Sequence, residues 1–245
     1  MRSSNPMLRE DTFSSFGSSG AAAGASVMTI QGTVIKTAVL LAVAFLTAIY
    51  CWEQPQQAKV PLMIGGLIGG GICSLICAFV PRWSPLLAPL YAAGEGLALG
   101  GISSLVEASY PGIAFQAMTA TFGTLASLLF AYSTRLIKVT ENFKLGIVAA
   151  TGGIALMYLA SFVLGIFGIQ MPFIHDSGPI GIGISLVIVI VAALNLVLDF
   201  DFIENGVEQG APKFMEWYAA FGLLVTLVWL YIEFLKLFMK MNKRD

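Results

Sequence analysis

Long apolar runs and short polar gaps alternate along the chain from about residue 32 to its end. Seven runs are long enough to cross a membrane as helices, which takes about 20 residues. The predicted helices cover residues 32–51, 60–80, 86–109, 113–132, 145–168, 180–203 and 214–238. The runs are continuously apolar and lack alternating polar positions, which disfavours a membrane β-barrel. The pattern therefore predicts an all-α integral membrane protein built as a seven-transmembrane-helix bundle.

The composition agrees with a protein that spans the lipid bilayer. Hydrophobic residues make up 57% of the chain and charged residues 11%, and the mean hydropathy is +0.84. The net charge of −1 indicates no nucleic-acid partner. Residues 1–30 are rich in Ser, Gly and Ala, which predicts a flexible N-terminal tail before a transmembrane domain at residues 31–245.

The basic residues of the polar gaps predict the orientation of the helices. With a cytoplasmic N-terminus, five loop cations lie on the inner side and only Lys59 lies outside. The five are Arg82, Arg135, Lys138, Lys144 and Lys213. The basic C-terminal tail argues the other way, because seven spans place it outside. We expect a cytoplasmic N-terminus, and the low cysteine count and lack of a signal peptide fit a bacterial inner membrane.

Carboxylates interrupt the apolar runs at a few positions. They are Glu95 in the third run, Asp199, Asp201 and Glu204 at the end of the sixth, and Glu216 and Glu233 in the seventh. A charge at the membrane centre costs roughly 2.5–3.5 kcal/mol on insertion scales, so such acids usually mark ion or proton paths. Asp201 lies about 200° around the helix from Asp199, so the two cannot face one cavity. Asp201 and Glu204 are then either a solvated acidic mouth or part of the ion path with Glu95.

Two segments of the chain resemble a known family. The third and fourth runs contain Glu95-Gly, Gly100-Gly-Ile-Ser103, Tyr110-Pro-Gly and Gln116, and they resemble the core of the Bax inhibitor-1/YccA-like family. These are the transmembrane Bax-inhibitor-motif proteins. The acidic end of the sixth run is similar to the family's motif of an aspartate followed shortly by Ile. The resemblance implies a seven-helix fold of the Bax inhibitor type with a central last helix, and a pH-sensitive calcium leak.

In the family, one acid from helix six and one from helix seven form a hydrogen-bonded carboxyl pair that acts as the gate. The resemblance assigns Asp199 to the helix-six position. Two residues are candidates for its partner on helix seven. Glu233 matches the family's motif on that helix, with Glu in place of the family's Asp, whereas Glu216 lies at about the same depth in the membrane as Asp199. In an antiparallel hairpin Glu233 lies roughly 20 Å beyond that depth, at about 1.5 Å per residue. Glu233 has two other possible partners, Lys236 at i+3 and Glu95 through a shared proton.

A buried carboxyl pair explains how pH and calcium act on the same place. Two carboxylates within hydrogen-bonding distance in a low-dielectric interior share a proton near neutral pH, because repulsion and desolvation disfavour two charges. The protonated pair holds the helices together, and the deprotonated pair offers the oxygen ligands that calcium prefers. Asp199 and Glu233 are therefore the expected transient calcium ligands. Calcium is expected as the permeant ion, and no resident cofactor is expected.

Two other classes of function compete with the leak channel. An intramembrane enzyme is not predicted, because the sequence has neither HExxH nor Gly-x-Ser-x-Gly, and its one histidine, His175, lies in a predicted loop. A paired-aspartate protease requires two acids at matching depth. The second class is a non-conducting regulator that binds other membrane proteins, such as a membrane protease, through its lipid-facing surface. Calcium flux distinguishes the regulator from the channel.

Overall fold

The structure is a computed structural model that describes residues 27–168 and 178–243. Within these ranges seven helices are long and apolar enough to span a membrane, which confirms the predicted all-α architecture. They are α1 (Ile30–Glu53), α2 (Gln56–Phe79), α3 (Ser84–Ser109), α4 (Ile113–Ser133), α5 (Glu141–Ile166), α6 (Pro179–Glu208) and α7 (Met215–Asn242). Among them α7 has the largest buried share, as expected of a central last helix. His175 lies outside the described residues.

The end of α6 differs from its predicted position by five residues, more than any other helix end. The Asn-Gly and Gln-Gly-Ala-Pro segments predict a turn over residues 205–213, but the first four of these residues extend α6 to Glu208. Asn205 is satisfied inside the helix, because its side-chain amide donates to the Asp201 carbonyl at 2.7 Å and to Asp201 Oδ2 at 2.9 Å. The turn comes at Gly210, whose φ of 65° favours glycine.

The chain divides into two compact units, and α6 and α7 each contribute residues to both. Among the described residues, the first unit contains residues 27–111 and 199–225, and the second contains residues 112–168, 178–198 and 226–243. Each unit has its own set of polar contacts between helices.

In the first unit, glycines bring α1 and α2 into close backbone contact with α3. A Cβ atom on Gly66 of α2 would lie 2.4 Å from the Gly94 carbonyl oxygen, and one on Gly100 of α3 would lie 2.2 Å from the Ala48 carbonyl oxygen. Small-xxx-small pairs commonly pack membrane helices in this way. Helix α2 has two overlapping pairs of this kind, Gly65/Gly69 and Gly66/Gly70, and only the second pair makes the contact. Gly65 and Gly69 have no described atom within 4 Å of an added Cβ.

The segment before α1 is attached to the connection between α6 and α7. Met28 is buried, its N–H donates to the Ala211 carbonyl at 2.7 Å, and Val27 forms an isolated bridge with Pro212. Thr29 then caps α1 by accepting from the Gly32 N–H at 3.0 Å. The predicted tail ended at residue 30, so its last four residues lie in the described structure, and three of them (Val27, Met28 and Thr29) make these contacts.

In the second unit, polar side chains connect α6 to its neighbours. The Asn195 amide donates to Thr151 Oγ1 of α5 at 2.8 Å. Lys240 of α7 donates to Ser185 Oγ at 2.8 Å and to the Gly181 carbonyl at 3.1 Å, near the start of α6. Such hydrogen bonds between transmembrane helices satisfy polar groups for which lipid tails offer no hydrogen-bond partner.

Candidate functional site

Three acidic residues of the last two helices are buried. The exposed fraction is 1% for Asp199, 0% for Glu216 and 1% for Glu233, and no other acid among the described residues is buried. The three other acids predicted for the ion path (Glu95, Asp201 and Glu204) are all half-buried. The carboxylates that interrupt the apolar runs therefore form two groups: three are buried inside the protein, and three are half-buried with part of their surface exposed.

Asp199 lies in a part of α6 that is buried on every side. All residues from Asn195 to Phe200 are buried, so no face of this turn is open to lipid. Asp201, about 200° around the helix from Asp199, is half-buried. The helix therefore places an ionisable group in the protein interior at Asp199, where a charge requires local compensation.

Glu216 is the centre of an ionic cluster in the first unit. Its carboxylate forms ion pairs with Lys36 of α1 and with Lys213, the latter at 2.8 Å. Thr29 donates to Glu216 Oε1 through both its N–H and its hydroxyl, each at 2.9 Å. Lys36 also lies 5.6 Å from the centre of the Trp217 ring. The carboxylate is thus held by two ammonium groups and two hydrogen-bond donors.

The local structure explains why an acid suits this position. Glu216 is in the first turn of α7, and Thr29 is the N-cap of α1, so the carboxylate lies at the start of two helices. Helix starts carry unsatisfied N–H groups and favour negative charge. A Cβ atom on Gly32 would lie 2.2 Å from Glu216 Oε1, so a larger residue at position 32 would require the carboxylate to shift.

Glu233 is the centre of a different cluster, which lies in the second unit. The Tyr158 hydroxyl of α5 lies 2.9 Å from Oε1 and 3.0 Å from Oε2 of Glu233. Lys236 Nζ lies 3.0 Å from Glu233 Oε1, 3.4 Å from Tyr158 Oη and 4.6 Å from the centre of the Tyr158 ring. One ammonium group and one phenol therefore hold this carboxylate.

Several of these partners were not expected from the sequence. The Glu233–Lys236 pair was one of the alternatives for Glu233, and the structure contains it. Lys36 carried a signal, because a cation inside an apolar run needs a counter-charge, but nothing in the sequence pointed to Glu216. Tyr158 carried no signal, since an isolated aromatic residue in an apolar run is ordinary.

The half-buried acids have varied surroundings. Glu95 lies against α2, where a Cβ atom on Gly70 would be 3.4 Å from Glu95 Oε1. Asp201 accepts from the Asn205 amide within α6. Across residues 27–168 and 178–243, no three His, Cys, Asp or Glu side chains come together as a metal-binding group.

Seven apolar helices, the last two with buried acids, define a multi-pass integral membrane protein. A family model described as Bax inhibitor 1 like matches residues 5–243, nearly the whole chain. The chain belongs to this family, as the motifs of the third and fourth predicted helices indicated. Comparison with curated proteins gives no match.

Proposed function

We propose that this protein is a pH-sensitive leak channel for calcium and other cations, gated by buried carboxylates of α6 and α7. The observation that carries the proposal is the burial of Asp199 in α6 and of Glu233 in α7, each with 1% exposed surface. Each such group costs roughly 2.5–3.5 kcal/mol on membrane-insertion scales. A helix with only a packing role avoids that cost, so buried acids in spans favour a role in ion or proton movement.

We assign the proton-sensitive role to Asp199 and Glu233 and a structural role to Glu216. Two ammonium groups and Thr29 surround the Glu216 carboxylate, so it remains ionised as the counter-charge of the lysines. Glu233 has a single ammonium partner and a neutral phenol. Asp199 lies in a fully buried turn. A change in protonation at either of these two acids alters the charge of a buried region, which is a suitable trigger for a gate.

The accessible acids fit the role of a path for the ion. Glu95, Asp201 and Glu204 are half-buried and offer oxygen ligands, which calcium prefers. Conduction requires binding that is weak enough for the ion to leave. Sparse carboxylates suit transient binding of this kind better than a dense cluster. The proposal involves no resident cofactor and no enzymatic activity.

We also propose a bacterial inner membrane with the N-terminus in the cytoplasm. The loop cations favour this orientation, and the structure offers an explanation for the basic end of α7. Lys236 pairs with Glu233, and Lys240 binds Ser185 and the Gly181 carbonyl. Lys240, a cation of the basic C-terminal tail, thus has partners within the protein, so it carries less weight as an orientation signal than cations in loops.

Calcium flux into proteoliposomes between pH 5 and 8 tests the proposed function. We expect flux in the wild type to change with pH, and we expect Asp199→Asn and Glu233→Gln each to lose that dependence. Glu141→Gln is the matched control, because Glu141 is an exposed acid at the start of α5. Loss of pH dependence in Asp199→Asn alone would remove Glu233 from the gate. Absence of flux at every pH would overturn the channel and favour the regulator that binds other membrane proteins.

A further inference from the structure

Lys236 occupies the position next to Glu233 in which a bound cation would lie. Its ammonium contacts one carboxylate oxygen at 3.0 Å, approaches the Tyr158 hydroxyl at 3.4 Å and lies 4.6 Å from the centre of the phenol ring. Carboxylate and hydroxyl oxygens bind hard cations, and an aromatic face attracts positive charge. The same three groups that hold the ammonium are therefore suited to a free cation.

The two sides of this contact differ in their freedom to move. The Glu233 side chain is 2% exposed, whereas the Lys236 side chain is 40% exposed. Lysine has a flexible four-carbon stem and loses little by moving its ammonium to a solvated position. Tyr158 contacts both oxygens of Glu233, at 2.9 Å and 3.0 Å, which fixes the carboxylate in place. Departure of Lys236 would thus leave a buried, oriented carboxylate that needs a positive partner.

We propose that Lys236 is a tethered counter-ion that blocks a cation site formed by Glu233 and positioned by Tyr158. The exchange is a competition: a cation binds the carboxylate when the ammonium leaves it, and the ammonium returns when the cation leaves. With one carboxylate, the site is weak, as transit of a permeant ion requires. Its role in flux rests on the proposed function, but the binding site itself does not.

Terbium luminescence tests the site, because a bound terbium ion emits when a nearby aromatic side chain is excited. The full chain in nanodiscs is titrated with terbium chloride, and calcium is then added as competitor. We expect Lys236→Met to lower the half-saturating terbium concentration about tenfold, which corresponds to about 1.4 kcal/mol. Lys236→Gln keeps a hydrogen-bond donor without the charge, and it is the variant to use if Lys236→Met fails to fold.

Second substitutions localise the signal to this site. The chain has seven tyrosines and four tryptophans, so emission alone does not identify its source. Adding Tyr158→Phe or Glu233→Gln to the Lys236→Met variant is expected to abolish the gain. Lys240→Met is the matched control one turn further along α7, where the ammonium binds Ser185 and a backbone carbonyl. It is expected to leave terbium binding unchanged.

Calcium flux measured on the same variants separates this inference from the proposed function. The proposal is wrong if folded Lys236→Met and Lys236→Gln bind terbium like the wild type, or if the gain survives Glu233→Gln. Wild-type flux without a terbium gain in these variants would support the leak channel and overturn the proposal that Lys236 is a tethered counter-ion. A terbium gain without flux in any variant would establish the cation site and overturn the leak.

Discussion

Replacement of Gly66 by alanine tests how closely α2 and α3 approach each other. The added Cβ would lie 2.4 Å from the Gly94 carbonyl oxygen and 2.9 Å from Leu97 Cβ. Ordinary contact begins at about 3.5 Å, so the methyl group is about 1 Å too close to backbone that cannot rotate away. Gly69, three residues further along α2, is the matched control, because no described atom lies within 4 Å of its added Cβ.

The two substitutions are expected to change stability in opposite directions. Alanine in place of glycine favours a helix by about 0.8–1.0 kcal/mol. Overpacking typically costs about 1–3 kcal/mol, and a clash with backbone belongs at the upper end of that range. We therefore expect Gly66→Ala to destabilise the protein by about 1–2 kcal/mol and Gly69→Ala to stabilise it by up to about 1 kcal/mol.

Unfolding of both variants in mixed detergent micelles with increasing dodecyl sulfate, followed by circular dichroism, provides the measurement. The wild type and the two variants are compared at the same protein and lipid concentration. A Gly66→Ala variant as stable as Gly69→Ala would refute the close contact between α2 and α3. It would also remove the reason for treating Gly66 and Gly70 as the packing pair.

Further predictions concern the polar contacts of both units. Lys36→Met should cost about 2 kcal/mol, because it removes one of two cations from the buried Glu216, whereas Lys213→Met should cost under about 1 kcal/mol because Lys213 is 45% exposed. Equal costs in the same unfolding assay would contradict this assignment. Glu216→Gln should lower stability yet leave the pH dependence of calcium flux intact, and loss of that dependence would return Glu216 to the gate. Thr151→Val should cost about 1 kcal/mol by removing the 2.8 Å partner of the Asn195 amide, and an unchanged unfolding midpoint would contradict the contact.

The helices could be predicted because a span in lipid must be long, apolar and internally hydrogen-bonded. Each of the seven predicted runs corresponds to one observed helix, and the ends differ by a few residues. The main difference is at Asn205, where an Asn-Gly pair normally favours a turn. There the Asn205 amide bonds back to Asp201 within α6, and the helix continues to Glu208.

The candidate acids could be selected from the sequence, but their degrees of burial could not. An acid inside an apolar run is conspicuous whichever way its side chain points, so Asp199, Glu233 and Glu95 were all candidates on the same grounds. The structure buries the first two and leaves Glu95 half-buried. Similarly, repeated glycines such as those of α2 favour close packing of a membrane helix, but they do not indicate which face of the helix makes the contact.

The sequence alone determined that the chain has seven helices long and apolar enough to span a membrane, belongs with the Bax inhibitor-like proteins and has ionisable groups in its last two helices. Only the tertiary structure decided which partner each carboxylate has. Lys36 is 180 residues from Glu216, and Tyr158 is 75 residues from Glu233. Local patterns report on neighbours within a few turns of one helix. A partner of a buried charge is selected by the fold, because only groups within hydrogen-bonding distance can compensate for the lost water.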